Sequence, residues 1–200
     1  MVLESEDTEE DCRLLIDCPV LVTERLVLRP PHVDDKSDLI ELAGNRRVAE
    51  MLARMPHPYG EAEADAFISG KVAQNGECQY AVTLADNGAF VGAAGLMPSR
   101  AGAGTLEVGY WIGEPHWGNG YATEAAHALV DLAFRATEID VLHAGCRPIN
   151  AASRRVIQKC GFQHSGQGLL DTLIAGRVAV ERYTLDRRTW VSLKSWARSA

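Results

Sequence analysis

Residues 116–134 read HWGNGYATEAAHALVDLAF, in which two glycines flank an asparagine and a helix pattern follows. A glycine-rich turn that feeds a helix often holds a phosphate, because the first backbone N–H groups of a helix have no helical partner. Gly118 and Gly120 carry no side chain that would keep an anion away. The alternative is a plain tight turn between a strand and a helix. The stretch therefore predicts a helix start and leaves both interpretations of the turn open.

Neither common nucleotide motif matches this turn. A P-loop requires a lysine followed by serine or threonine after the second glycine, and no such pair follows Gly120. A dinucleotide fold requires a third glycine, and Thr123 stands in that place. A nucleotide-binding protein is therefore the weakest of the functional hypotheses.

Composition indicates one globular domain. The chain has 200 residues, of which 46% are hydrophobic and 24% charged. The net charge of −7 comes mostly from residues 1–19, and the rest of the chain is nearly neutral. We therefore predict a mobile acidic arm over residues 1–20 and a single domain over residues 21–200. The near-neutral body argues against nucleic acid as a partner, because nucleic-acid binders carry basic patches.

The cysteines and the hydropathy pattern suggest the cytoplasm. Five cysteines are scattered along the chain without a CxxC pair, which favours free thiols in a reducing compartment over a disulfide framework. No run approaches 18 apolar residues, so we expect neither a transmembrane helix nor a membrane partner. The early run RLLIDCPVLV (residues 13–22) lacks the basic flank of a signal peptide.

Hydrophobic patterning predicts the element order β, α, α, β, β, β, α, β, α, β, β, α. The clearest local signal is Asp86-Asn87-Gly88 between two apolar runs, which is the turn chemistry of a β-hairpin. A weak strand is expected at about residues 162–168. The fold class is α/β (α+β), with a mostly antiparallel first half.

Three segments together resemble a known family. EVGYWIGEPHWGNGYATEA (residues 107–125) and NAASRRVIQKCGF (residues 150–162) resemble the GNAT N-acetyltransferases, in particular the ribosomal-protein-alanine N-acetyltransferase-like branch. LVTERLVLRPPHVDD (residues 21–35) resembles the first strand of that branch. The family motif is Q/R-x-x-G-x-G/A, and this chain departs from it with Pro115 in the Gln/Arg position.

The resemblance implies a particular fold. We expect a central mixed, mostly antiparallel twisted sheet of six to seven strands with helices on both faces. A V-shaped split between strands 105–112 and 139–147 would admit CoA.

The resemblance also implies acetyl-CoA as co-substrate, with no metal. The pyrophosphate would lie on the backbone of the turn, which comprises Trp117, Gly118, Asn119, Gly120, Tyr121 and Ala122. The main-chain groups of Trp111 and Ile112 would hold the acetyl carbonyl and the pantetheine arm. Asn150 would bond the pantetheine, and its alternative role is a simple N-cap.

Two residues are candidates for proton transfer. Strand alternation places Glu107, Gly109 and Trp111 on one face, and Glu107 is the candidate general base. Its alternatives are a solvated carboxylate and an anchor for the substrate ammonium. The resemblance makes Ser153, three residues after Asn150, the candidate proton donor to the leaving thiolate. Tyr110, on the opposite face from Glu107, is interpreted as a packing residue.

The predicted function is direct transfer of an acetyl group to a primary amine in a ternary complex, without a covalent enzyme intermediate. The acceptor would be a protein N-terminus or a small-molecule amine. The alternative is a non-catalytic acyl-CoA-binding or regulatory module on the same fold. A homodimer is also left open.

Overall fold

The computed structural model describes residues 18–70, 77–99, 101, 102 and 104–197. The strands are β1 (Leu21–Val22), β2 (Leu26–Arg29), β3 (Cys78–Leu84), β4 (Phe90–Pro98), β5 (Leu106–Ile112), β6 (Val141–Cys146), β7 (Gln163–Thr172) and β8 (Gly176–Asp186). The helices are α1 (Lys36–Ala43), α2 (Arg46–Ala49), α3 (Glu61–Ile68), α4 (Tyr121–Ala136), α5 (Ala151–Lys159) and α6 (Arg187–Ala197). Short 3-10 turns cover Val33–Asp35 and Glu114–His116.

The described strands form one eight-stranded sheet in the order β1-β2-β3-β4-β5-β6-β8-β7. Every neighbouring pair is antiparallel except β5 and β6, which run parallel. The mixed, mostly antiparallel sheet is confirmed. The strand beyond the six to seven expected is β1, whose two residues are too short to produce a recognisable pattern.

The sheet divides between β5 and β6. Their pairing is confined to Leu106 with Leu142 and Glu107 with His143. Beyond Glu107, β5 continues beside β4 as far as Ile112, while β6 stays paired with β8 along its whole length. The expected V-shaped split is therefore present, and it opens toward the carboxyl end of β5.

Helices cover both faces of the sheet, as expected. On one face α4 packs against the strands through a large apolar cluster that includes Leu96, Leu129 and Leu142. On the other face α1 and α3 form a smaller cluster around Leu39 and Phe67. Across the described ranges, none of the helices combines the length and the apolar character needed to span a bilayer.

The expectation of free thiols is wrong for one pair of cysteines. Cys18 and Cys78 form a disulfide between the segment before β1 and the first residue of β3. Sixty positions separate them in sequence, and only the folded sheet brings them together. Cys146 and Cys160 are free and buried, and Cys12 lies outside the described residues. The acidic arm stays a prediction, because residues 1–17 also lie outside the described ranges.

Candidate active site

The glycine turn leads directly into α4. Gly118 and Gly120 have φ angles of 81° and 83°, in the left-handed region that favours glycine, and Tyr121 begins the helix. A Cβ atom built on Gly118 would find no other atom within 4 Å, so the space above the turn is open. The turn therefore offers free backbone and the positive end of the α4 dipole to an anion.

An ion pair between Arg25 and Glu124 stabilises the glycine turn. Glu124, in the first turn of α4, accepts hydrogen bonds from the Thr23 hydroxyl at 2.6 Å and from the Arg25 side chain at 2.8 Å. Arg25 also donates to the carbonyl oxygen of Asn119 at 2.9 Å. Burial opposes ionisation of Glu124, but the bonds from Thr23 and Arg25 outweigh it and lower its pKa. Sequence analysis missed Thr23 and Arg25, since their partners lie about a hundred residues away.

Trp117 connects the turn to β5. Its indole nitrogen donates to the carbonyl oxygen of Ile112 at 2.6 Å, and the Arg47 guanidinium lies 5.4 Å from the centre of its ring. Arg47 is in turn paired with Glu114. The Trp117 side chain is 44% exposed, so one face of the indole remains accessible to a ligand.

The register of β4 and β5 determines which main-chain groups face the split. Gly113 donates its N–H to the carbonyl oxygen of Val91 at 2.9 Å, so these two opposite residues form a hydrogen-bonded pair. Hydrogen-bonded and non-hydrogen-bonded pairs alternate from there along β4 and β5. Ile112 therefore directs its N–H and carbonyl toward the split, together with Tyr110 and Val108. Trp111 directs its N–H and carbonyl toward Ala93 of β4. Its main chain therefore does not face the split, contrary to the expectation from sequence. What Trp111 presents to the cleft is its side chain.

Asn150 caps α5. Its side-chain oxygen accepts a hydrogen bond from the Ser153 N–H at 3.0 Å, which is the N-cap interaction that the sequence analysis kept as an alternative role. The residue also lines the cleft beside the split, so the cap positions it next to the space where a ligand arm would run.

Tyr110 and Ser153 meet across the cleft. The Tyr110 hydroxyl lies 3.1 Å from the Ser153 Oγ and 3.2 Å from the Ser153 carbonyl oxygen. Burial raises the pKa of Tyr110 above its ordinary value, and the hydrogen bond with Ser153 offsets only part of that rise. The interpretation of Tyr110 as a packing residue is therefore incomplete, because its phenol is held neutral beside the candidate proton donor. The available signal was a tyrosine three residues after the candidate base on the same strand.

Glu107 reaches toward the other side of the split. Its Oε1 lies 3.6 Å from the position that a Cβ on Gly145 would occupy, and Gly145 belongs to β6. Strand alternation points Glu107 and Tyr110 to opposite faces of β5. A group lying in the split therefore has the carboxylate on one side and the phenol–hydroxyl pair on the other.

One large cleft contains these groups. Its volume is about 1440 Å³, above the 300–1,000 Å³ common for single-ligand pockets. It is lined by ten of the predicted site residues: Glu107, Trp111, Ile112, Trp117, Gly118, Gly120, Tyr121, Ala122, Asn150 and Ser153. Asn119 does not line it, because its side chain turns back to the carbonyl oxygens of His116 and Trp117. Asn119 closes the turn rather than facing the cleft.

Arg154 and the segment from Cys160 to Phe162 belong to the scaffold. Arg154 pairs with Glu181 of β8 at 2.8 Å and also donates to the carbonyl oxygen of Pro148. Cys160 and Phe162 are buried on either side of Gly161, so the segment ends α5 and contributes to the core.

A split mixed sheet with a glycine turn at the start of the helix after β5 is the architecture of the GNAT acetyltransferases. The family model described as "Acetyltransferase (GNAT) domain" matches residues 25–163. The chain belongs to this family, and its enzyme class is that of an acyltransferase.

Similar proteins agree with this membership. The chain is 38% identical to the uncharacterized protein YkkB of Bacillus subtilis, over 46% of this chain and 57% of YkkB, so the match spans little more than half of that relative. It is 29% identical to the uncharacterized N-acetyltransferase YnaD of B. subtilis, over 73% of this chain and 84% of YnaD.

A solved structure shares the fold. Spermidine N-acetyltransferase from Vibrio cholerae, in complex with CoA and spermine, superposes with a TM-score of 0.70 over 84% of this chain and 99% of that one. The sequence identity is 20%, so this likeness concerns the fold alone.

Proposed function

We propose that this chain transfers an acetyl group from acetyl-CoA to a primary amine, directly and within a ternary complex. The observation that carries the proposal is the split between β5 and β6, with the glycine turn at its mouth and Glu107 and Tyr110 on its two sides. An aminolysis of a thioester needs a place for the carrier, a base for the ammonium and a donor for the thiolate. The described residues supply a candidate for each task.

The residues fit the carrier. The open space above Gly118 and the exposed backbone through Ala122 suit a pyrophosphate. The N–H of Ile112, whose carbonyl already accepts a bond from Trp117, and the main-chain groups of Tyr110 would pair with the pantetheine amides as an added strand does. Asn150 lines the cleft on the opposite wall. When bound, acetyl-CoA supplies an activated acetyl group and a thiolate leaving group.

Glu107 is the proposed base. Its carboxylate lies on the face of β5 that carries α1 and α3, so an amine entering from that face meets it before the split. It would accept a proton from the ammonium, directly or through a water molecule, and leave a neutral nitrogen to attack.

Tyr110 and Ser153 together form the proposed proton donor. The neutral phenol and the serine hydroxyl share a hydrogen bond, so a proton given up by one can be replaced by the other. The donor has little work to do, because a free thiol has a pKa of about 8.5.

Direct transfer is supported by the state of the nearby thiol. Cys146 lines the cleft, but burial and the Glu181 carboxylate raise its pKa. A thiol that stays protonated is a poor nucleophile, which argues against an acetyl-cysteine intermediate.

The test is an acceptor screen. The purified protein is incubated with acetyl-CoA and a panel of small amines and peptides, while free thiol release and the mass of the acceptor are followed. CoA affinity is measured in parallel by calorimetry. Acetylation of an amine supports the proposal. Tight CoA binding with no acetylated amine favours the alternative, a non-catalytic acyl-CoA-binding module, and the absence of CoA binding overturns both.

The proposed location is the cytoplasm, where acetyl-CoA is available. The Cys18–Cys78 disulfide is the observation against it, because such bonds are rare in reducing compartments. Thiol labelling of the protein in intact cells tests this location: labelled Cys18 and Cys78 would indicate a reducing compartment, and unlabelled ones an oxidising compartment. The homodimer stays a prediction, and light scattering of the full chain tests it.

A further inference from the structure

A row of side chains crosses the sheet on the face that carries α1 and α3. Met97 of β4 lies directly opposite Glu107 of β5, and Glu107 lies opposite His143 of β6. Trp111 shares this face of β5 with Glu107. The two are four residues apart, a distance of about 13 Å along a strand. The space between them, over Gly109, is where the substituent of an amine held at Glu107 would lie.

Met97 occupies that space. A Cβ atom on Gly109 would lie 2.7 Å from the Met97 Cε, closer than any real Cβ contact allows. The methionine therefore bends over the glycine and fills the place where a side chain of β5 would stand. Methionine has three rotatable bonds and a polarizable sulfur, so it can move to accommodate an apolar ligand at low cost.

Arg54 contacts the Met97 side chain and pairs with Glu77. Its guanidinium lies 3.5 Å from the Met97 sulfur and forms an ion pair with Glu77 at 2.9 Å. The Glu77 side chain is 8% exposed, whereas the Arg54 side chain is 49% exposed, so the carboxylate is largely withdrawn from water and the guanidinium is not. Glu77 is therefore already neutralised and is not available to a second ammonium group of a substrate.

Apolar side chains also line the cleft, among them Met51, Met55, Tyr59, Phe67, Trp111 and Leu170. Of the carboxylates that line the cleft, Glu77 is paired with Arg54, and Glu63 accepts a hydrogen bond from the Gly60 N–H. An apolar group would find matching surface on the apolar side chains named above.

We propose that the acceptor is an amine with a single positive charge on an apolar, ring-sized substituent, and that Met97 determines the size of substituent accepted. This inference rests on the proposed acetyl transfer. A polyamine is disfavoured because its second ammonium would approach the Arg54 guanidinium, and like charges repel. A free arylalkylamine and a peptide with an aromatic N-terminal residue share the required chemistry.

The experiment compares kcat/KM at saturating acetyl-CoA for phenethylamine, hexylamine, spermidine and two peptides that begin with Phe or Ala. We expect phenethylamine or the Phe peptide to exceed spermidine at least tenfold. The comparison of phenethylamine with the Phe peptide identifies the source of the apolar amine. A preference for spermidine or for the Ala peptide overturns the inference and leaves acetyl transfer intact. If no amine is acetylated, the proposed function fails and this inference fails with it.

Two variants test the role of Met97. M97A removes the side chain over Gly109 and should raise kcat/KM for a naphthylethylamine about tenfold relative to phenethylamine. G109A adds a methyl group where the Met97 Cε now lies and should shift the preference toward smaller amines. G102A is the matched control, because a Cβ on Gly102 meets no atom within 4 Å. If M97A and G109A rank the amines as the wild type does, with unchanged melting temperatures, Met97 does not determine acceptor size.

Discussion

The hydroxyl of Tyr110 lies 3.1 Å from the Oγ of Ser153, and this contact joins β5 to the first turn of α5 across the cleft. The two residues are 43 positions apart in sequence. Burial raises the pKa of the phenol above its ordinary value, which favours its neutral form. In the proposed mechanism this pair would protonate the leaving thiolate, and Glu107, on the opposite face of β5, would accept the proton of the amine.

Replacement of Tyr110 by phenylalanine should lower kcat by about tenfold to a hundredfold, at or below the lower end of the range for general acids, because a thiolate leaves with little help. The ring is kept, so CoA affinity should stay within about threefold. Because the pKa of Tyr110 lies above its ordinary value, ionisation of the phenol should not reduce wild-type kcat below about pH 10. Ser153→Ala is the companion variant, and full activity in both variants would remove the pair from the mechanism.

Glu107→Gln should lower kcat by about 10²–10⁴-fold with a lysine-like amine, whose reference pKa is about 10.4. The loss should shrink as the pH rises, because more of the amine arrives neutral. With an α-amine, whose reference pKa is about 7.7–8.0, the loss should be smaller and flatter with pH. The measurement is a pH–rate profile of both proteins, with Glu41→Gln on the exposed side of α1 as control. Superimposable profiles would return Glu107 to an anchoring role or to none.

Gly120→Val should weaken CoA binding at least about tenfold, or roughly 1.4 kcal/mol, because a side chain would intrude on the turn and strain its backbone. The control Gly88→Ala separates backbone strain from intrusion on the phosphate site. Gly88 has a φ of 75° in the β3–β4 turn, far from the cleft, and its surroundings are open. It should lose about 1–2 kcal/mol of stability with no change in CoA affinity. Equal CoA affinity in all three folded proteins would contradict the phosphate cradle.

Asp35→Asn should destabilise the fold by about 2–3 kcal/mol. The Asp35 carboxylate is 4% exposed, receives two bonds from Arg29 at 2.7 and 2.8 Å, and accepts one from the His32 N–H. Burial opposes its ionisation, but these bonds prevail and lower its pKa. A lowered pKa stabilises the folded state above the unfolded value and loses that effect as the pH falls. The stability difference should therefore be constant above about pH 5 and shrink below about pH 4.

Urea denaturation of wild type, Asp35→Asn and the exposed control Asp38→Asn at several pH values measures this difference. A gap between wild type and Asp35→Asn that persists unchanged at pH 2 would show that the carboxylate charge is not the cause.

Reduction of the Cys18–Cys78 disulfide should cost about 2–4 kcal/mol of stability, because the bond closes a long loop in the unfolded chain. The melting temperature of the wild type should fall on addition of a reductant, while that of Cys18→Ser should not respond. Titration of thiols in the unfolded, unreduced protein provides the direct check. Five titratable thiols would mean that the bond is absent.

Local sequence determined several features of this protein. The helix α4 begins where Gly118-Asn119-Gly120 predicts it, because only glycine adopts the positive φ angles of that turn cheaply. The β3–β4 hairpin turns at Asp86-Asn87-Gly88, and α5 starts at an asparagine cap, since these residue types satisfy nearby backbone groups by themselves. The family motif lies in these same local segments, so the class of protein followed from them.

Tertiary structure alone decided the rest. The pairing of Tyr110 with Ser153, the disulfide of Cys18 with Cys78 and the position of Met97 over Gly109 each join strands or helices that are distant in sequence. The direction of the Trp111 main chain depended on the hydrogen-bond register with β4, which alternates from residue to residue and leaves no trace in composition. Local propensities act over a few residues, whereas a binding cleft is made by side chains that meet only when the sheet has formed.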